Sequence, residues 1–249
     1  VTLPKNLNVT NLTIEDILPT GFLYTNLTIN TTSTNKSFID FLNVNTVTNT
    51  TSNNVTTVTI KFSKDYFSSI VENFTIILYS VVTENATSRT VSSVNLTNKA
   101  YLKWATGVKN YTINKNAKVE VIQPVLTIQK EFNPKTMVND YSNVTITIKN
   151  TGLTNALNVT VFDNMSKYGN DFNQIDWNAT VTYPDNTVKT VQIVDGVLSI
   201  DTGNLTPGKS ITIKYNMTLN NYKFLVGNEY TNTVNLTYYT MNSTYPYRA

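Results

Sequence analysis

Apolar and polar residues alternate with a period of two along most of this chain, and that period fits one backbone conformation. Val144, Ile146 and Ile148 face one way, with Thr145, Thr147 and Lys149 opposite. Ile211, Ile213 and Tyr215 repeat the pattern, as do Tyr230, Val234, Leu236 and Tyr238. This is the signature of half-buried strands. Turn residues divide the runs at Thr151-Gly152, Tyr183-Pro184-Asp185-Asn186, Asp195-Gly196 and Pro207-Gly208-Lys209. No long segment has a 3.6-residue period, and Ser68 to Asn73 has room for one helical turn at most. The 43 Thr and 37 Asn residues suit strands and turns respectively. The expected class is all-β.

Several kinds of chemistry are excluded or disfavoured. With no Cys and no His, disulfides, thiolate nucleophiles, imidazole bases and ordinary zinc or copper sites are excluded. No cofactor and no metal is expected. A net charge of +3 is too weak to argue for nucleic acid. Apolar runs such as Thr75 to Tyr79 are far short of a membrane span. The chain opens on Val1 rather than Met, which suggests a processed, mature chain without a span. Asp171 and Asp176, or Asp195 and Asp201, are near enough in sequence to pair as catalytic acids, but each lies near a turn and reads as a solvated acid. No calcium loop, phosphate loop or nucleophile elbow is present. An enzyme is not expected. Trp104 continues an inward strand face, Trp177 lies in a loop-like stretch, and Tyr245-Pro246-Tyr247 reads as a tail.

The chain repeats itself. NLTIEDILPTGF (11–22) matches NVTVFDNM (158–165), ENFTIILYSVVT (72–83) matches GKSITIKYNMTL (208–219), and VNLTNKAYLKW (94–104) matches EYTNTVNLTYY (229–239). The order is the same in both halves, with a seam at VIQPVL (121–126). Two β-sandwich modules follow, 1–123 and 124–249. The second opens with VLTIQKEF (125–132) and NVTITIKNTG (143–152). The first has VTLPKNL (1–7), similar to LTIQKEF, but no counterpart of NVTITIKNTG. A sandwich lacking a strand exposes an apolar groove and unpaired backbone. A strand from another chain, a loop, or a strand of the same module could fill it, and segment 1–7 is a possible donor.

TITIKNTG, NALNVTVFDNM, LTPGKSITIKYNMTL and EYTNTVNLTY together resemble the repeat domain of prokaryotic surface proteins. DILPTGF (16–22) nearly keeps that family's D-LP element, whereas the second module has DNMSKYG in its place. The resemblance implies Ig-like sandwiches in tandem, outside the cell. The Asn-, Thr- and Tyr-rich, cysteine-free composition and the incomplete first module are similar to a subunit of archaeal thread-type filaments. That similarity implies head-to-tail strand exchange between identical subunits, heavy glycosylation and isopeptide bonds, in the service of adhesion or biofilm cohesion. The alternative is a carbohydrate- or protein-binding module of a larger adhesin or surface-layer protein.

Nineteen Asn-x-Ser/Thr sequons occur, at Asn8, Asn11, Asn26, Asn30, Asn35, Asn49, Asn54, Asn73, Asn85, Asn95, Asn110, Asn143, Asn158, Asn164, Asn178, Asn204, Asn216, Asn235 and Asn242. Composition alone gives about 9. Strand alternation accounts for part of the excess, because polar–apolar–polar often reads N-x-T on an outward face, and that face is where a glycosyltransferase needs the Asn. N-linked glycans are therefore expected partners, with Asn204 disfavoured by the following Pro207.

Register turns three polar groups of the second module inward: Lys130 with Leu126, Ile128 and Phe132, Asp163 with Val159 and Val161, and Asn232 with Tyr230, Val234 and Leu236. Buried together, they must satisfy one another. They also form the constellation for an isopeptide bond. Burial favours the neutral amine, which attacks the Asn amide while the carboxyl moves protons. The alternative is an Asn that caps backbone groups and a Lys that snorkels to water. In the first module the corresponding residues are Asp16, Asn98 and Lys5. Lys5 is read as inward, in line with Val1, Leu3 and Leu7, giving an internal bond if 1–7 stays home and an intersubunit bond if it is donated.

Overall fold

The computed structural model describes residues 1–88, 90–133, 141–165, 172–174, 177–219 and 231–240. The chain is mostly β-strand, arranged in antiparallel sheets. It divides into two compact units, one of residues 1–88 and 94–121, the other of 89–93 and 122–249. The boundary falls two residues before the seam read at 123/124, and a short segment ahead of the last hairpin of the first unit joins the second.

The first unit contains β1 (Thr2–Leu3), β2 (Leu7–Ile17), β3 (Phe22–Asn30), helix α1 (Lys36–Asn43), β4 (Asn45–Ser52) and β5 (Val55–Phe62). It continues with β6 (Tyr66–Ser68), β7 (Glu72–Asn73), β8 (Thr75–Val82), β9 (Ser93–Thr106) and β10 (Lys109–Ile122). The larger sheet runs β10-β9-β2-β5-β4, with β6 also on β2, and β3–β8 and β1–β7 form two-stranded sheets. The second unit has β11 (Leu126–Asn133), β12 (Tyr141–Asn150), β13 (Ala156–Asn164), β14 (Phe172–Gln174) and β15 (Asn178–Thr182). It ends with β16 (Val188–Gln192), β17 (Val197–Leu205), β18 (Ser210–Leu219) and β19 (Val234–Tyr239). Its sheets run β11-β12-β18-β15-β16, with β14 also on β18, and β17-β13-β19.

The repeat has a physical counterpart in the backbone. Asn11 in β2 and Asn158 in β13 both take positive φ, 53° and 48°. Each sits where strand pairing slips register. A bulge needs a residue that tolerates the left-handed region, and Asn does so at low cost. Five residues beyond each bulge lies an aspartate, Asp16 or Asp163. Turn chemistry fixes other registers: Asn53 and Asn54 (φ 50° and 61°) close the β4–β5 hairpin as the favoured two-residue turn.

The two units differ on one side of the sandwich. β18 is covered by β12 and then β11, and its inward residues Ile211, Ile213, Tyr215 and Met217 are at most 3% exposed. The corresponding strand of the first unit, β8, pairs with β3 alone, and its Ile76, Leu78 and Val82 are only half-buried. β1 pairs with β7, just ahead of β8, for two residues. The second unit accordingly has one continuous core cluster and the first has two separate ones.

Two sequence expectations need correction. Ser68 to Asn73 holds strand pairings rather than a helical turn, and the helix lies at Lys36–Asn43. Asn35 caps it by accepting from the Ser37 amide. Phe38, Phe41 and Leu42, at helical spacing, bury one face. Phe38 and Phe41 stack or tilt against Tyr66, and Phe62 and Phe74 complete the aromatic cluster.

The Asn150-Thr151-Gly152 turn is held by a buried side chain. The Asn150 amide donates to the Thr154 and Leu205 carbonyls, each at 2.8 Å, and its oxygen accepts from the Gly152 amide. A Cβ on Gly152 would lie 2.3 Å from the Val125 nitrogen. Asn150→Ala orphans three backbone groups, so it should cost the second unit about 2–4 kcal/mol in denaturant unfolding. A loss within experimental error of zero would show that the turn does not need the side chain.

Candidate functional site

β11, β13, β18 and the approach to β19 bring four polar side chains together inside the second unit. Asp163 is inward because it follows Val159 and Val161 on one face of β13. Its carboxylate is fully buried and accepts from three donors: Lys130 Nζ at 2.6 Å, Tyr215 OH at 2.7 Å and Asn232 Nδ2 at 3.0 Å. The Lys130 side chain is 7% exposed. Its ammonium lies over the Phe132 and Tyr215 rings, at 5.5 and 5.9 Å from their centroids. The Asn232 carboxamide oxygen is buried without a hydrogen bond. Burial, with the Asp163 charge and hydrogen bond, pushes the Tyr215 hydroxyl far above its ordinary range, which keeps it a donor. One carboxyl thus touches both an amine and a carboxamide, and a proton can pass between them through it.

Lys130, Asp163 and Asn232 are the residues singled out from register, and the fold brings them together. Tyr215 was not, although its place in the Ile211, Ile213, Tyr215 alternation points it into the same core.

The first unit has the same frame. Asp16 pairs with Val58 and Ala100 across β5 and β9, as Asp163 pairs with Leu198 and Val234 across β17 and β19. Asn98 precedes Ala100 by two residues, as Asn232 precedes Val234. Asn98 hydrogen-bonds the Asp16 carboxyl. Here, however, Asp16 Oδ1 and Asn98 Oδ1 are both buried without a partner, as is the indole nitrogen of Trp104 on the same face of β9. Burial raises the Asp16 pKa above the ordinary carboxylate range, and the Asn98 hydrogen bond offsets part of that.

The inward placement of Lys5 is not observed. Lys5 is exposed in a turn where Asn6 takes φ 63°, so the alternation of 1–7 does not carry through. β1 is docked at home: Leu3 is buried opposite Glu72, and the Val1 amine donates to the Phe74 carbonyl at 2.7 Å. From Leu7, β2 runs nine more residues to Asp16, about 30 Å. Lys5 therefore does not reach Asp16 or Asn98 within the chain. Lys115 shares the parity of Tyr111 on β10 but is exposed. Tyr111, its neighbour on the same face of β10, stacks on Trp104, and Val119 and Val121 of that face join the core with Val94 and Leu96.

Among the described sequon asparagines, all are exposed except Asn35, Asn164 and Asn216, and Asn242 lies outside the described residues. Asn35 is committed elsewhere. Besides capping α1, its amide donates to Glu72 at 2.9 Å and Tyr66 at 3.2 Å. Asp195 and Asp201 are exposed, and Asp201 accepts from the Gly203 amide two residues on. Asp171, Asp176, Tyr230 and the tail Tyr245-Pro246-Tyr247 lie outside the described residues. Trp177 is 61% exposed. Among the described residues no group of three acidic, His or Cys side chains could hold a metal, and no helix is long and apolar enough to cross a membrane. No protein-family model matches the chain, and no curated protein matches it.

A carboxyl whose folded pKa exceeds its unfolded value binds more protons in the native state. Stability then falls as pH rises from the unfolded pKa through the folded one. Asp16 should give the first unit this slope across the acid range above the ordinary Asp pKa. Trp104 fluorescence during denaturant unfolding at a series of pH values reads it. Asp16→Asn should flatten the slope, and equal slopes in the two proteins would remove Asp16 as its source.

Proposed function

We propose that this protein is a structural subunit of a glycosylated extracellular filament, built of two Ig-like modules. Identical subunits join head to tail, each filling the incomplete first unit of the next with a β-strand, and the polymer serves adhesion or cohesion of cells. The observation that supports this reading best is the open edge of β8. A strand edge with half-buried Ile76, Leu78 and Val82 beside it is a template for a further strand, and β12 fills that position in the second unit. A contact between unlike surfaces generates an open filament when its rotation does not close a ring.

Within the second unit, the Lys130–Asp163–Asn232 geometry supports a covalent clasp. Asp163 takes a proton from Lys130, and the neutral amine attacks Cγ of Asn232. The bond from Cγ to the amide nitrogen breaks, ammonia leaves with the proton held by Asp163, and an amide joins β11 to the approach of β19. In a chain without cysteine, such a bond replaces a disulfide.

Electron microscopy of the protein purified from its native surface should show filaments. Leu78→Lys places a charge in the open groove and should give dispersed monomers whose second unit still unfolds at the parent denaturant midpoint. Filaments of parent length from Leu78→Lys would overturn strand insertion at β8. Glycopeptide mapping should find sugar at exposed sequons such as Asn8, Asn49 and Asn95 and none at Asn35. Occupied Asn35 would mean that its cap and the Glu72 and Tyr66 bonds open before folding is complete.

A further inference from the structure

Strand faces turned to solvent are mostly polar in this chain, so an aromatic ring on one of them stands out. Among the described residues five aromatic side chains are exposed: Phe67, Tyr79, Phe162, Trp177 and Tyr239. Single exposed apolar residues are common on protein surfaces and need no explanation. The register of three of these does. Phe67 of β6 pairs with Asn8 of β2, Tyr79 of β8 with Asn26 of β3, and Phe162 of β13 with Asn235 of β19. Each of the three asparagines opens a sequon and is itself exposed. The neighbouring partners turn inward: Val9 with Tyr66, Leu27 with Leu78, and Val161 with Leu236. Ring and carboxamide therefore stand side by side on the outer face. Of the other two rings, Trp177 lies outside the strands and Tyr239 pairs with Leu157.

We propose that Phe67, Tyr79 and Phe162 are seats for the first sugar of N-linked glycans on Asn8, Asn26 and Asn235, each sugar stacking on the ring across its strand pair. The proposal rests on the glycosylation reading. The sugar it requires is a β-linked pyranose with equatorial substituents, which presents a face of axial C–H groups. That face is apolar and slightly positive, and an aromatic ring offers an apolar, electron-rich face in return. Directly opposed residues of an antiparallel pair have Cβ atoms about 4.5–5.5 Å apart. Both side chains stand roughly perpendicular to the sheet. A sugar on Nδ2 thus begins at the height of the ring and beside it. Asn26 is already oriented for this, because its Oδ1 accepts from the Leu27 amide at 2.8 Å and leaves Nδ2 as the free end. A transferase makes the bond: C1 of the sugar moves from a lipid-linked phosphate to Nδ2, and Nδ2 gives up one proton. The ring enters afterwards, as a contact that removes its apolar surface from water.

The three pairs lie where strand pairing is thin. β6 is three residues long, β3 and β8 form a two-stranded sheet, and β19 is the edge of its sheet. A sugar fixed to one strand and stacked on the next joins them on the outer face, as a cross-strand side-chain pair does. β8 has no sequon of its own. The sugar reaches Tyr79 from the β3 side and leaves the far edge of β8, where strand insertion is read, uncovered. Other exposed sequon asparagines have no ring opposite: Asn30 pairs with Thr75 and Asn49 with Val58. Asn49 is therefore an internal control.

A double-mutant cycle between sugar and ring tests this in the full chain made in a glycosylating host. Asn235→Gln removes the sugar, and Phe162→Thr removes the ring while keeping a strand-forming residue. Asn235→Gln should raise the unfolding constant of the second unit about fivefold in the parent and have no effect beyond error in Phe162→Thr. Cycles of Asn8 with Phe67 and of Asn26 with Tyr79 should read the same in the first unit, whereas Asn49→Gln should change nothing. Proton NMR should show ring-current upfield shifts of first-sugar C–H protons at the three sites and none at Asn49. Chain made without glycosylation should lose the coupling. Occupied sites without coupling would overturn the stacking and leave the glycosylation reading standing, as would empty Asn8, Asn26 and Asn235 beside an occupied Asn49. Coupling that persists without sugar would belong to the asparagine side chain and overturn the seats. Sugar at none of the sequons would overturn both readings.

Discussion

A carboxylate buried between two sheets constrains everything around it. Removing an ionised carboxyl from water costs several kcal/mol unless donors replace the lost hydration. Asp163 has three donors, and each comes from a different part of the chain. Lys130 comes from the first strand of the unit, Tyr215 from the centre of its larger sheet, and Asn232 from the approach to its last strand. The residue that would weaken an apolar core therefore fixes the relative placement of β11, β13, β18 and β19. A slip of one residue in any of these strands would turn a donor to the outside, because side chains alternate with a period of two.

The same arithmetic explains why the first unit is left unbalanced. β2 and β9 repeat the aspartate and asparagine in register, so the acceptor half of the site is inherited with the strands. The donor half of the second unit came on β11 and β18. Among the described residues no strand covers β8 as β12 and β11 cover β18, and none serves Asp16 Oδ1 or Asn98 Oδ1. Polar imbalance and apolar exposure thus have one origin. The position that would supply apolar side chains against Ile76 and Leu78 is also where the other unit brings in its lysine.

Much of this was legible in the sequence, because alternation and internal repetition are local signals. Two-residue periodicity marked the strands, and the match of NLTIED to NVTVFD located both aspartates and, unread, both bulges. Where the reading failed, one residue had overridden the period. Asn6 turns the chain with positive φ, so the register of Val1 and Leu3 does not extend to Lys5. The α1 segment, Lys36–Asn43, was missed because eight residues of helix give only two turns of period, although Asn35 and the Phe38, Phe41, Leu42 spacing marked it. The contribution of Tyr215 was harder to read. It depends on which strands become neighbours, and a sequence states that only through its repeats.

The exposed asparagines and the buried carboxylates belong to one design problem. A chain with 14% charged residues and no cysteine has few surface charges to keep strand edges apart and no disulfide to hold its termini. Asn-x-Thr on outward strand faces offers the first remedy, since a glycan attached there would occupy the face and crowd the edge beside it. Lysine, aspartate and asparagine on inward faces offer the second. Both use the same alternation, with polar residues of one parity directed to solvent and a few of the other parity directed to the core. β8 lies outside both remedies, with Ile77 and Tyr79 exposed on its outer face and its inner face half-covered. An edge left bare in a chain that guards its others is where pairing with another strand is favoured.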